Sequence, residues 1–248
     1  MMRTIFLFVI VSLLLPLPLC AQQLKPLNLP KYDQIPIHFG MSLGFNTMDF
    51  GVKHSAFLYS ADSVYSVENI PRPGININIV SVWQFKPLFS IRFLPGLNFG
   101  QRDLVYWVYK DSAYHQHTMM LESTFLDFPL LLQYKANRYN NFRPYVVAGG
   151  SFKIDLAAQR RIKAEEMPKI RLKRFTTYYE VGLGTDFLLE YFKFAIELKY
   201  AVGINNAMVR DNSQYTKVID KLNSKMIMLS FTFEGSDLRS FKGFRFKK

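Results

Sequence analysis

From residue 37 onward the chain alternates apolar residues with small or polar ones at a period of two, and it does so in segment after segment. Ile37, Phe39, Met41, Leu43 and Phe45 stand on one parity against His38, Gly40, Ser42, Gly44 and Asn46. Side chains of a strand point alternately to its two faces, so this stretch is a strand with one wholly apolar face. The pattern returns in Ile75 to Phe85, where Asn76, Asn78 and Gln84 lie on the other face, and in Phe89 to Gly100, where Ser90, Arg92 and Asn98 do. It continues in Thr124 to Tyr134, Tyr178 to Phe187, Phe192 to Gly203 and Met226 to Phe233. Tyr145 to Leu156 adds a glycine-containing strand whose faces stay unassigned. Eight strands are predicted, with almost no helix.

The first 21 residues read differently. Arg3 precedes an unbroken apolar run from Ile5 to Leu15, followed by Pro16, Pro18 and the small pair Cys20-Ala21. This is the build of a secretory signal peptide, with cleavage expected after Ala21. A lipoprotein would acylate Cys20, but Leu19 stands where that signal wants a small residue. Cys20 is the one cysteine among 248 residues, so the exported chain has no disulfide to rely on in an oxidising compartment. No later segment approaches the roughly 18 consecutive apolar residues of a membrane helix.

The connections alternate in length. Lys86-Pro87, residues 135–144 with the turn pair Asn140-Asn141, and Glu190-Tyr191 are short, whereas residues 47–73, 103–119, 157–174 and 204–223 read as long polar loops. Short turns on one side and long loops on the other are the organisation of an outer-membrane barrel. A soluble β-sandwich would show Thr, Lys, Glu and Gln on its wet face, and a lipocalin-like barrel would have an apolar interior. Here the polar face mixes Gly, Ser and Asn with charges, which suits a crowded hydrated lumen. Aromatics at strand ends, among them Trp83, Phe85, Tyr134, Phe187 and Tyr191, fit interfacial girdles. The expected fold is therefore all-β: an eight-stranded antiparallel transmembrane barrel over 35–234, after a leader (1–21) and a periplasmic segment (22–34), and before a basic, aromatic tail (235–248). Hydrocarbon leaves no backbone polar group unpaired, so first and last strands must join. Pro95 and Pro129 each remove a donor from an edgeless sheet, and a bulge or an early strand end is expected at each.

An eight-stranded lumen is filled by its own side chains, which excludes a general porin. Arg92, Glu180, Asp186, Lys193, Glu197 and Lys199 would share it as a network of paired charges, because an unpaired buried charge is costly. A polar conduit or proton path is the alternative. His38, His54, His115 and His117 form no metal-ligand spacing. His38 and Ser42 share a strand face about 13 Å apart, too far for a nucleophile and its base. No cofactor is expected. The net charge of +12 gathers in two places. Residues 157–174 hold Arg160, Arg161, Lys163, Lys169, Arg171, Lys173 and Arg174, which would face lipid and lipopolysaccharide. The tail interleaves Arg239, Lys242 and Arg245 with Phe241, Phe244 and Phe246, as a solvated end or as a docking peptide for a protein partner. Nucleic acid is not an expected partner.

The stretch Phe125-Leu-Asp-Phe-Pro-Leu-Leu-Leu-Gln-Tyr-Lys135, followed by Arg143-Pro-Tyr-Val-Val-Ala-Gly-Gly150, resembles the hairpin signature of the PorT family of small outer-membrane barrels. Residues 28–33 leading into 37–46, and Ser90 to Gly100, extend the likeness over nearly the whole exported chain. Asp127-Phe128 stands where other members often have a Glu and an aliphatic. The resemblance implies a non-enzymatic component of the type IX protein secretion system, associated in some bacteria with gliding motility, with partners in a secretion complex. A structural or adhesive barrel that binds envelope polymers or host ligands through its loops is the alternative.

Overall fold

The structure, a computed structural model, describes residues 26–55, 64–110, 113–158, 170–209 and 214–235. The predicted leader and the tail with Arg239, Phe241, Lys242, Phe244, Arg245 and Phe246 lie outside the described residues. One antiparallel sheet holds β1 (Ile37–His54), β2 (Val64–Lys86), β3 (Phe89–Phe93), β4 (Gly96–Lys110), β5 (Ala113–Lys135), β6 (Phe142–Asp155), β7 (Phe175–Leu188), β8 (Phe192–Gly203) and β9 (Ile219–Gly235). Sequence neighbours pair, and β1 also pairs with β9 from Gly40↔Glu234 to His54↔Ile219. The sheet thus closes into a barrel.

The ring has eight staves, because β3 and β4 lie end to end between β2 and β5, interrupted at Leu94 and Pro95. Both prolines are accommodated at this one break. Leu94 N–H donates to the Pro129 carbonyl at 3.2 Å, and Ile79 N–H to the Pro95 carbonyl at 2.9 Å. A residue's N–H and C=O point to the same neighbour in an antiparallel ladder, so the donor that Pro129 lacks faces the interruption beside Pro95. β5 runs through Pro129 without a bulge in its pairing to β6.

The alternation sorts the side chains as expected for lipid outside and polar groups inside. Phe45 and Leu183 are each 62% exposed on the outer wall, while Arg92, Glu180 and Glu197 are 1% exposed or less. Gly40 and Gly44 let β1 and β9 approach closely at the closing seam, since a Cβ at Gly40 would fall 2.1 Å from the Phe233 carbonyl oxygen. The turn end, periplasmic in barrels of this build, carries residues 87–88, 136–141 and 189–191.

The opposite end departs from the expected loops. Residues 103–110 and 113–119 are strand, joined by two residues, and β1 and β2 take up most of 47–73. Above the lipid belt β2, β4 and β5 continue as a three-stranded sheet, from Ile70↔Asp103 and Leu104↔Met119 to the Lys110↔Ala113 hairpin end. The period-two signal fades there because both faces are mixed: Leu104, Val105 and Tyr106 are consecutive and all buried. A short helix, α1 (Gln214–Lys217), precedes β9. Residues 171–173 pair with 207–209, and Ile170 and Met208 pack with Phe50, Leu104, Leu121 and Leu222 in an apolar cluster over the outer mouth.

Because the seam depends on glycine, Gly40→Ala is expected to lower unfolding stability in detergent by about 1–3 kcal/mol. Gly150→Ala, whose Cβ would sit 3.6 Å from the nearest atom, serves as the tolerated comparison.

Candidate functional site: the filled lumen and its periplasmic mouth

The six charged residues expected in the lumen are all buried, and each pairs with another of the six. Arg92 on β3 reaches Glu197 on β8, from opposite sides of the ring. Lys199 lies 3.1 Å from Glu180, and Lys193 lies 3.4 Å from Asp186. Gly182 makes room for the second contact, since a side chain there would meet Lys199 Cγ at 2.8 Å.

Around these pairs stand charges that the sequence pattern left unassigned. Glu180 also accepts from Lys153 at 3.0 Å, and Lys153 bridges onward to Asp127, its cross-strand partner. Asp127 also accepts from Ser151 at 2.9 Å and from Asn98 at 2.8 Å, so both of its oxygens are engaged. Nearer the periplasm, Lys193 lies 2.7 Å from Glu234, and Tyr145 donates to Glu197 at 2.8 Å. Lys135 donates to Gln84 Oε1 at 3.3 Å. Toward the outer end, Arg102 donates to Ser123 and Ser224, with its guanidinium 4.1 Å from the Phe50 ring centre, and Ser123 passes on to Asp155 at 2.9 Å.

Glu234 was legible, because it continues the inward parity of Met226 to Thr232. Lys153 and Asp155 were hidden by the unassigned faces of the glycine-containing strand, and Arg143 lay in the stretch 135–144 read as a turn. Arg102 lies just beyond the third strand as read from sequence.

Residues preceding β1 complete the mouth. Tyr32, in a 3-10 turn (Tyr32–Gln34), is buried with its ring stacked on His38 at 3.9 Å. Its hydroxyl donates to Glu234 at 2.7 Å, and Lys193 Nζ lies 5.5 Å from its ring centre. Asp33 receives Arg143 at 2.8 Å. Leu29 takes a left-handed φ of 48° at the start of this turn, and Tyr32 N–H closes it onto the Leu29 carbonyl at 3.0 Å. Asn28 is held by Asn141 and by the Leu188 carbonyl, so residues 26–36 form a strap tied to two periplasmic turns.

The strap also balances the lumen. Among the described residues the buried inward cations are Arg92, Arg102, Lys135, Arg143, Lys153, Lys193 and Lys199, and the inward carboxylates of the strands are Asp127, Asp155, Glu180, Asp186, Glu197 and Glu234. Asp33 adds a carboxylate at the mouth. It does so at Arg143, whose contact to Asp186 is longer, at 3.6 Å.

His38 faces Tyr32, and Ser42 accepts from Thr232 at 3.2 Å. His115 and His117 sit on the projecting β4–β5 hairpin, and no group of three or more metal-ligating side chains occurs among the described residues.

Two substitutions test this reading. Lys153→Met strands Asp127 and Glu180 and is expected to cost about 3–5 kcal/mol in denaturant unfolding. Tyr32→Phe removes one bond to a carboxylate and is expected to cost about 1.5–3 kcal/mol while leaving β-content by circular dichroism unchanged.

Residues 20–209 match the family described as outer membrane protein beta-barrel domain, and the chain belongs to that family. The protein resides in the bacterial outer membrane. No curated protein matches it in sequence. Among solved structures it is similar to Neisserial surface protein A, at 8% identity over 80% of this chain and 97% of that one, with a TM-score of 0.42. OprG of Pseudomonas aeruginosa aligns at 13% identity over 81% and 95%, with a TM-score of 0.42. The outer membrane protease OmpT of Escherichia coli aligns at 11% over 82% and 97%, with a TM-score of 0.37.

Proposed function

We propose that this member of the outer membrane β-barrel family is a non-enzymatic component of the type IX protein secretion machinery, of the PorT type, acting as an assembly element rather than as the pore. The observation that carries the reading is the occupied lumen. Buried ion pairs fill it, Tyr32 enters its periplasmic mouth, and the cluster around Phe50 and Met208 covers its outer mouth. A polypeptide has no path through such a barrel. A role in export then falls to its surfaces, namely the strap and turns at the periplasmic end. The resemblance of Phe125 to Lys135 and Arg143 to Gly150 to the PorT hairpin supplies the secretion system itself. In this reading the 1–21 leader directs the chain to the envelope.

The sheet of β2, β4 and β5 above the lipid belt favours a second reading, an adhesive barrel. It presents Tyr109, Tyr114 and Met120 to the outside. The two separate in one experiment. Deletion of the gene is expected to leave cargo proteins in the periplasm under the secretion reading, and removal of the hairpin tip 109–114 is expected to leave export intact. Normal export by the deletion strain overturns the secretion reading.

A further inference from the structure

Just above the lipid-facing belt, the outer wall of the β1–β9 seam carries three lysines, Lys53, Lys221 and Lys225, of which only Lys53 is in an ion pair among the described residues. The outward side chains of β1 run Phe45, Thr47, Asp49, Gly51, Lys53, and those opposite on β9 run Leu229, Ile227, Lys225, Asn223, Lys221. Phe45 is 62% and Ile227 52% exposed, which marks the upper rows of the lipid face. Lys225 stands one outward row above Ile227, a rise of about 7 Å along the strand. That is the depth at which lipid headgroups begin.

Two features make this strip unusual. Lys53 and Lys221 are direct cross-strand partners on one face, an arrangement that destabilises a sheet unless an anion lies between them. Lys225 stands opposite Asp49 but makes no ion pair with it among the described residues, and Asp49 Oδ1 accepts from Asn69 and from the Phe50 N–H at 2.8 Å. Lys225 instead lies over Gly51, where a Cβ would sit 2.9 Å from its Cε and 3.3 Å from its Nζ, and it therefore points toward the Lys53 row. Asp220, 3.4 Å from Lys53, is the single carboxylate paired with the three ammonium groups among the described residues.

We infer that Lys53, Lys221 and Lys225 form a binding site for the phosphorylated headgroup of an outer-leaflet lipid, whose acyl chains lie against Ile227, Phe45 and Tyr200 beneath it. A phosphate between Lys53 and Lys221 turns a repulsive pair into a bridged one, and Gly51 leaves the wall open for it. Charge above and apolar surface directly below select an amphiphile over a free anion. This site depends on the barrel's place in the outer membrane and not on the secretion role, so cargo export and lipid binding fail separately.

The test uses the full chain purified in detergent, with lipid A as the phosphorylated probe and binding followed by native mass spectrometry. The triple variant K53Q/K221Q/K225Q is expected to weaken lipid A binding at least about tenfold, and K225Q alone to weaken it measurably. K31Q/K86Q, at exposed periplasmic positions, is expected to bind as the unaltered chain does. Unfolding midpoints of the variants are expected to be no lower, since a like-charge pair is relieved. Unchanged binding by the triple variant overturns the site. So does equal weakening by K31Q/K86Q, which would mark general charge attraction, and so does full competition by inorganic phosphate, which would mark a free-anion site.

Discussion

Ionised groups in a lumen closed to bulk water must neutralise one another, and the rest of this barrel is arranged around that condition. Born desolvation of each buried ion costs several kcal/mol, and only close opposite charges with their remaining lone pairs satisfied offset it. The strands supply the pairs through register. Asp127 and Lys153 are cross-strand partners, Lys199 reaches Glu180 past Gly182, and Arg92 spans the ring to Glu197. Small residues on the inner face are therefore the space into which long charged side chains extend. The same condition gives the strap a role, because Asp33 pairs with the buried guanidinium of Arg143.

Closure of the sheet is the second constraint, and it governs the backbone. The seam between β1 and β9 removes the edges that hydrocarbon would leave unsatisfied. Pro95 and Pro129 share one interruption: Pro95 sits where β3 gives way to β4, and the donor missing from Pro129 faces that gap.

Inside, the barrel changes character along its axis. Within the membrane, charged and hydroxyl groups share the lumen with buried apolar side chains such as Val80, Leu131 and Val147, whereas the part above it is packed like a soluble core, with Phe50, Leu104, Tyr106, Met119 and Leu222 buried together. Above the lipid the outer wall meets water, so the burial of apolar surface can again drive packing inward. This inversion explains why residues 103–119 read as loop from sequence and yet are strand. The outer mouth is consequently covered by apolar side chains rather than left as a vestibule.

Much of the architecture follows from the sequence alone. Lipid outside and polar groups inside impose a strict period of two, which located the staves, their number, the short turns and the inward placement of Arg92, Glu180, Asp186, Lys193, Glu197 and Lys199. Period alone carries no partner information, so which cation meets which carboxylate is a property of register and of the ring's curvature. The tertiary structure alone decides that Lys153 links Asp127 to Glu180 and that Tyr32 and Asp33 close the mouth. It also decides that Lys225 leans over Gly51 while Asp49 is engaged elsewhere. Each of these contacts joins residues far apart in sequence or on separate strands, and only closure of the barrel brings them within a few ångströms.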